Sequence, residues 1–102
     1  MIYMEEKDKK IVWEIIKQFP FTFYAFGSRV TGKCRKFSDL DLFIKEPVTN
    51  LESFYINDAF EESYLPFTVD VVIQERCDSK FVASIEKDLV LLNKKNLGIE
   101  NE

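Results

Sequence analysis

The chain has 102 residues and a mass of 12.0 kDa, which fits one domain spanning residues 1–102, and its 46% hydrophobic content with ten Phe can fill a core without disulfides. It contains no histidine, which excludes a Ser-His-Asp or Cys-His nucleophile system and a His-based zinc site, so chemistry must run on carboxylates, hydroxyls, amines or oxygen-held metal. A formal charge of −4 and a pI of about 4.9 argue against a general binder of nucleic acid or anionic membrane, and no direct DNA binding is expected. Cys34 and Cys77 have neither metal-like nor redox-like spacing and read as reduced thiols. The first ten residues alternate charges without a signal-like apolar stretch, and no apolar run reaches membrane-spanning length, so a cytoplasmic protein is expected.

In chain order, Ile11, Val12, Ile15, Ile16 and Phe19 recur at helical spacing and predict a first helix stopped by Pro20. The aromatic run 21–26 predicts a short strand ending at Gly27, and Ser28 to Gly32 leaves room for about one helical turn. Residues 39–44 begin by alternating and become wholly apolar, as in a strand that surfaces at one end. A helix follows the Thr49-Asn50 cap, with Leu51, Phe54, Tyr55 and Asp58 at helical spacing and Ile56, Ala59 and Phe60 alongside. A third strand spans 67–73. The last helix begins near Asp78-Ser79, carries Phe81, Val82, Ile85, Leu89 and Leu92 on one face, and ends by Asn93; from Gly98 onward the chain is expected to fray. The order describes a small α/β domain, a sheet covered by helices, with a core over about 11–92.

Asp39 and Asp41 are two apart on a strand, so both carboxylates leave the same face and repel each other. Alone, such a pair is commonly a solvated strand end. Asp70 interrupts the apolar run 67–73, which implies burial on a central strand; a lysine or arginine partner is the plain explanation. If that strand lies beside the first, three carboxylates converge and a divalent cation is their natural partner. Gly27-Ser28 stands at a strand-to-helix turn, where backbone N–H groups favour an anion, although a simple turn with Ser28 as N-cap would serve. Residues 29–36 hold Arg29, Lys33, Arg35 and Lys36 and no anion; a solvated surface run is the usual meaning of such a cluster. In succession, the three features describe a triphosphate held by backbone, hydroxyl and cations, with its metals held by carboxylates.

The run Gly27-Ser28-Arg29-Val30-Thr31-Gly32, followed after five residues by Ser38-Asp39-Leu40-Asp41-Leu42, resembles the nucleotidyltransferase signature. It is most similar to the minimal nucleotidyltransferases of the DNA polymerase β-like superfamily, with Asp70 matching the third carboxylate. The resemblance covers about 11–92; Lys36-Phe37 departs from it, replacing a Pro-acidic pair. It implies the nucleotidyltransferase fold, a small mixed sheet flanked by helices. It also implies two Mg2+ ions, or Mn2+, bridged by Asp39 and Asp41, with Asp70 completing one metal site and able to accept the nucleophile's proton. Gly27 and Ser28 would contact the phosphates of ATP or another nucleoside triphosphate, Ser38 would buttress the acidic turn, and Arg29, Lys33, Arg35 and Lys36 would neutralise phosphate charge. Members often pair with a helical HEPN-type protein as antitoxin and toxin. The implied function is therefore transfer of a nucleotide, AMP first among them, to a partner hydroxyl within a hetero-oligomer. A small-molecule acceptor, or a non-catalytic antitoxin acting by complex formation, are the alternatives. Ten Phe, four Tyr and Trp13 are a large load for so small a core, which would leave some for an interface, while most of them lying in the core is the plain alternative.

Overall fold

In a computed structural model, which describes residues 2–99, the first segment sorts by helical period. Val12, Ile15 and Ile16 are buried in α1 (Glu6–Ile16), while Glu6, Lys7, Lys10 and Glu14 face out. There follow β1 (Tyr24–Phe26), α2 (Ser28–Thr31), β2 (Leu40–Ile44), α3 (Asn50–Glu61), β3 (Val69–Ile73), a 3-10 turn (Gln74–Arg76), α4 (Ser79–Glu86), β4 (Val90–Leu91) and α5 (Lys94–Leu97). Among the described residues the sheet has four strands in the order β3-β2-β1-β4; β1 runs antiparallel to β2 and β4, and β2 parallel to β3. It is the expected mixed sheet flanked by helices.

The period of two in β2 divides the molecule into two faces. Leu40, Leu42 and Ile44 are buried in the main core with Val12, Ile15, Ala25, Ile56, Phe60 and Leu97, while Asp41 and Phe43 point the other way. On that second face Phe26 meets Phe43 edge-on at 6.3 Å and Phe81 of α4 at 6.2 Å. α4 thus covers the Phe43 end, while Asp39 and Asp70 stay exposed at the other.

The expected last helix needs correction. The last helix ends at Glu86, not near Asn93: Val90-Leu91 instead adds β4 to the edge of β1, and Leu92 N–H donates to the Phe23 carbonyl (2.9 Å), so Leu92 is buried through a strand. Gly98 closes α5 in the left-handed conformation and Ile99 packs against the core; the rest of the tail expected to fray, residues 100–102, lies outside the described residues. In α3 the Thr49–Glu52 capping box fixes the helix start, and Ile56 and Phe60 face inward. Burial of such side chains is worth about 1.5–3 kcal/mol each, and turning them in sends Leu51, Phe54 and Tyr55 outward. Arg76 holds this helix start through Val48 O (3.1 Å) and Asn50 Oδ1 (3.0 Å).

Candidate active site

The parallel register of β2 and β3 pairs Asp41 with Asp70, and Asp39 stands just before β2. Because Leu40 N–H donates to the Thr68 carbonyl (2.9 Å), the two strands are already joined where the acidic residues emerge. Asp70 is exposed, contrary to the burial expected of it, because β3 is an edge strand and its valines Val69 and Val71 take the core side. The plain explanation of a lysine or arginine partner is also absent. Among the described residues the ion pairs are Lys17–Glu14 and Lys45–Glu86, and neither engages any of the three aspartates. Asp41 is half-buried, and burial first, then the charges of Asp70 and Asp39, raise its carboxyl above the ordinary value of 3.8.

β1 delivers Gly27 to this cluster. Gly27 has φ +80° and ψ −152°, a conformation almost confined to glycine. A Cβ there would stand 2.5 Å from Asp41 Oδ2. The Gly27 backbone and the Asp41 carboxylate are therefore pressed together, as a phosphate-and-metal reading of the two motifs needs. Gly27, not Ser28, is the N-cap of α2; its carbonyl accepts from Val30 N–H (3.0 Å) and Thr31 N–H (3.1 Å). Ser28 is the first helical residue.

The cationic loop divides. Lys33, Arg35 and Lys36 are exposed. Arg35 and Lys36 line a cavity of about 570 Å³ against Glu5 and Asp8 at the start of α1. Arg29 is different: it is buried, and its guanidinium donates to the carbonyls of Tyr3, Lys36 and Ser38, which leaves it poorly placed to neutralise phosphate. Ser38 accepts Arg35 N–H on its hydroxyl (2.8 Å) and so closes the turn that leads into Asp39. The reciprocal contacts of Tyr3 with this loop were not legible in the sequence, since nothing in the spacing of 2–4 points across 26 residues.

The donor set suits a hard divalent cation. Asp41 stands close enough to Asp70 and Asp39 to feel both charges, no ion pair among the described residues engages the three, and a metal would relieve their repulsion. Among the described residues no group of three or more acidic, Cys or His side chains forms a ready-made cage. Mg2+ is commonly held by one or two carboxylates together with substrate phosphates, so a partial protein shell is compatible with it.

Comparisons with known proteins bear on the family and the fold. The family described as "Polymerase beta, Nucleotidyltransferase" matches residues 9–97. A Haemophilus influenzae protein named probable protein adenylyltransferase MntA is 37% identical over 101 residues, covering 95% of this chain and 89% of that protein. A toxin–antitoxin crystal structure with AMP-PNP contains a chain that superposes with a TM-score of 0.66, over 89% of this chain and 78% of that one; at 16% identity the likeness is one of fold. The match to the family over most of the chain means that the protein belongs to the polymerase β-type nucleotidyltransferases.

Proposed function

We propose that the protein transfers AMP from ATP to a hydroxyl of a partner protein, and that it acts as the antitoxin of a HEPN-type toxin in the cytoplasm. The observation that carries the catalytic part is the Asp41–Asp70 register beside the Gly27 turn. Support for the acceptor comes from the relative named as a protein adenylyltransferase, and for a toxin partner from the toxin–antitoxin complex of the same fold.

In this reading Asp39, Asp41 and Asp70 are the residues that would hold Mg2+. Bound there, the metal would supply neutralisation of the triphosphate charge and a lowered pKa for the attacking hydroxyl. The exposed Asp70 carboxylate takes the hydroxyl's proton as its oxygen attacks the α-phosphorus, and pyrophosphate leaves. The Gly27 backbone and Ser28 hydroxyl bind the β- and γ-phosphates, while Lys33, Arg35 and Lys36 lower the charge along the approach. The open second face, with α4 over one end only, leaves the acceptor to be brought by another chain. Exposed Phe37, just before Asp39, and Phe81 of α4 offer apolar area for it.

The test is incubation with labelled ATP, Mg2+ and the product of the neighbouring gene. Label on that partner, dependent on Asp39 and Asp70, supports the reading. Tight complex formation with no label would instead favour a non-catalytic antitoxin, and consumption of ATP without label on the partner would favour a small-molecule acceptor.

A further inference from the structure

We infer that Arg29 is a positioning residue: its guanidinium fixes the backbone that leads into Asp39 and does so without contacting the nucleotide. The side chain is 3% exposed. Its Nε and Nη2 both donate to the Ser38 carbonyl (3.0 and 2.9 Å), one peptide before Asp39. Nη2 also donates to the Lys36 carbonyl (3.0 Å) and Nη1 to the Tyr3 carbonyl (2.8 Å). Tyr3 N–H returns a bond to the Arg29 carbonyl (2.7 Å), so the strand-like segment before α1 and the loop are tied reciprocally.

A buried cation with no carboxylate partner is costly unless its donors are met. Here they are met by carbonyls, and the guanidinium lies 4.1 Å from the centre of the Phe67 ring. Phe67 is two residues before β3, the strand that carries Asp70. The same planar group therefore touches the entrance of the Asp39 strand and the approach to the Asp70 strand. Lysine keeps the charge but has no fork to hold one carbonyl with two N–H groups while reaching two others. A group whose donors are committed in this way cannot grip a phosphate, but a loosened Ser38 peptide would let Asp39 drift. The inference rests on the reading of Asp39 and Asp41 as metal ligands.

The test uses the whole chain. Mn2+ binding is measured by electron paramagnetic resonance without nucleotide, and transfer kinetics are measured with the partner, for Arg29→Lys, Phe67→Leu and Asp39→Asn. Arg29→Lys should weaken Mn2+ binding about tenfold and lower kcat about 100-fold, the scale of a 1 Å misplacement, while KM for ATP stays within about twofold. A raised KM at unchanged kcat and unchanged Mn2+ binding would make Arg29 a phosphate ligand and overturn the inference, as would wild-type values throughout. If Arg29→Lys does not fold, Phe67→Leu decides: it keeps every guanidinium hydrogen bond and removes the ring, and Mn2+ binding weakened about threefold supports the inference, on the usual scale of a cation–π contact. Unchanged binding overturns it. Wild-type Mn2+ binding by Asp39→Asn would overturn the metal reading itself; weakened binding there with unchanged binding in Arg29→Lys overturns the Arg29 inference alone.

Discussion

Replacing Gly27 by Ala tests the contact on which the site is built. The native φ of +80° with ψ of −152° lies where only glycine is at ease, and holding another residue there costs about 1–3 kcal/mol. The new Cβ would also stand 2.5 Å from Asp41 Oδ2, against the 3.4 Å at which ordinary contact begins. The turn cannot yield easily, because the Gly27 carbonyl is held by Val30 and Thr31 N–H groups, so the Asp41 carboxylate must swing away. A loss of about 2 kcal/mol lowers Tm by roughly 8–16 °C in a domain of this size. A carboxylate moved by about 1 Å lowers transfer about 100-fold. Thermal unfolding followed by circular dichroism, and labelled-nucleotide transfer at a temperature where the variant is folded, read the two effects separately. If the variant unfolds earlier yet keeps more than half of the transfer rate, Gly27 is a turn residue only and the close approach to Asp41 has no part in the chemistry.

Asp41→Asn should change the pH dependence of the metal-free protein. Burial and the neighbouring charges of Asp70 and Asp39 raise the folded carboxyl above 3.8, so the folded state binds its proton more tightly than the unfolded one; the resulting stability is fully present below 3.8 and is lost as pH rises through the folded value. Urea unfolding at acid and neutral pH should show that loss in the wild type and less of it in the variant, with the variant more stable at pH 7 by up to about 1 kcal/mol once solvent screening is allowed for. Exchanging Lys33, Arg35 and Lys36 together for Gln should weaken ATP binding about tenfold and flatten its salt dependence; calorimetric titration at two salt concentrations checks this, and equal affinities at both would remove the loop from the site. Asp8 is 3% exposed and its Oδ1 has no hydrogen-bond partner, which costs about 1–3 kcal/mol. That exceeds the roughly 0.3–1 kcal/mol an acidic residue gains in a helix's first turn. Asp8→Ala should therefore raise stability by about 1 kcal/mol in urea, and a clear loss would mean that the carboxylate holds a bond.

The parts of the fold readable from the sequence were those with a period and a punctuation mark. α1 follows from Val12, Ile15 and Ile16 with Pro20 beyond, and β2 from the alternation at its start. The last third resisted because Leu89 and Leu92 continue a helical spacing that the chain abandons: a two-residue strand has too few side chains to show a period, and its reason is the free edge of β1, a tertiary fact. In α3 a broad apolar surface hides which side faces inward, and Ile56 and Phe60 settle it against Leu51 and Phe54 only once the sheet is present. At the site, local spacing was informative for Asp39 and Asp41, while the meeting of Asp41 with Asp70 depends on strand order. Asp70 was misread as buried because an apolar run looks the same on an edge strand as on a central one. The setting of Arg29 was hidden for a related reason, since a sequence displays its charge and not the carbonyls that surround it.

The most direct measurement of the central claim is intact-mass spectrometry of the proposed partner protein after incubation with ATP, Mg2+ and either the wild-type chain or Asp70→Asn. The account requires the partner to gain whole adenylyl groups, on hydroxyl side chains, with the wild type, and none with the variant, which should remain folded because Asp70 is exposed on an edge strand. Equal adduct with Asp70→Asn, or an unmodified partner beside an active wild-type chain, would contradict it.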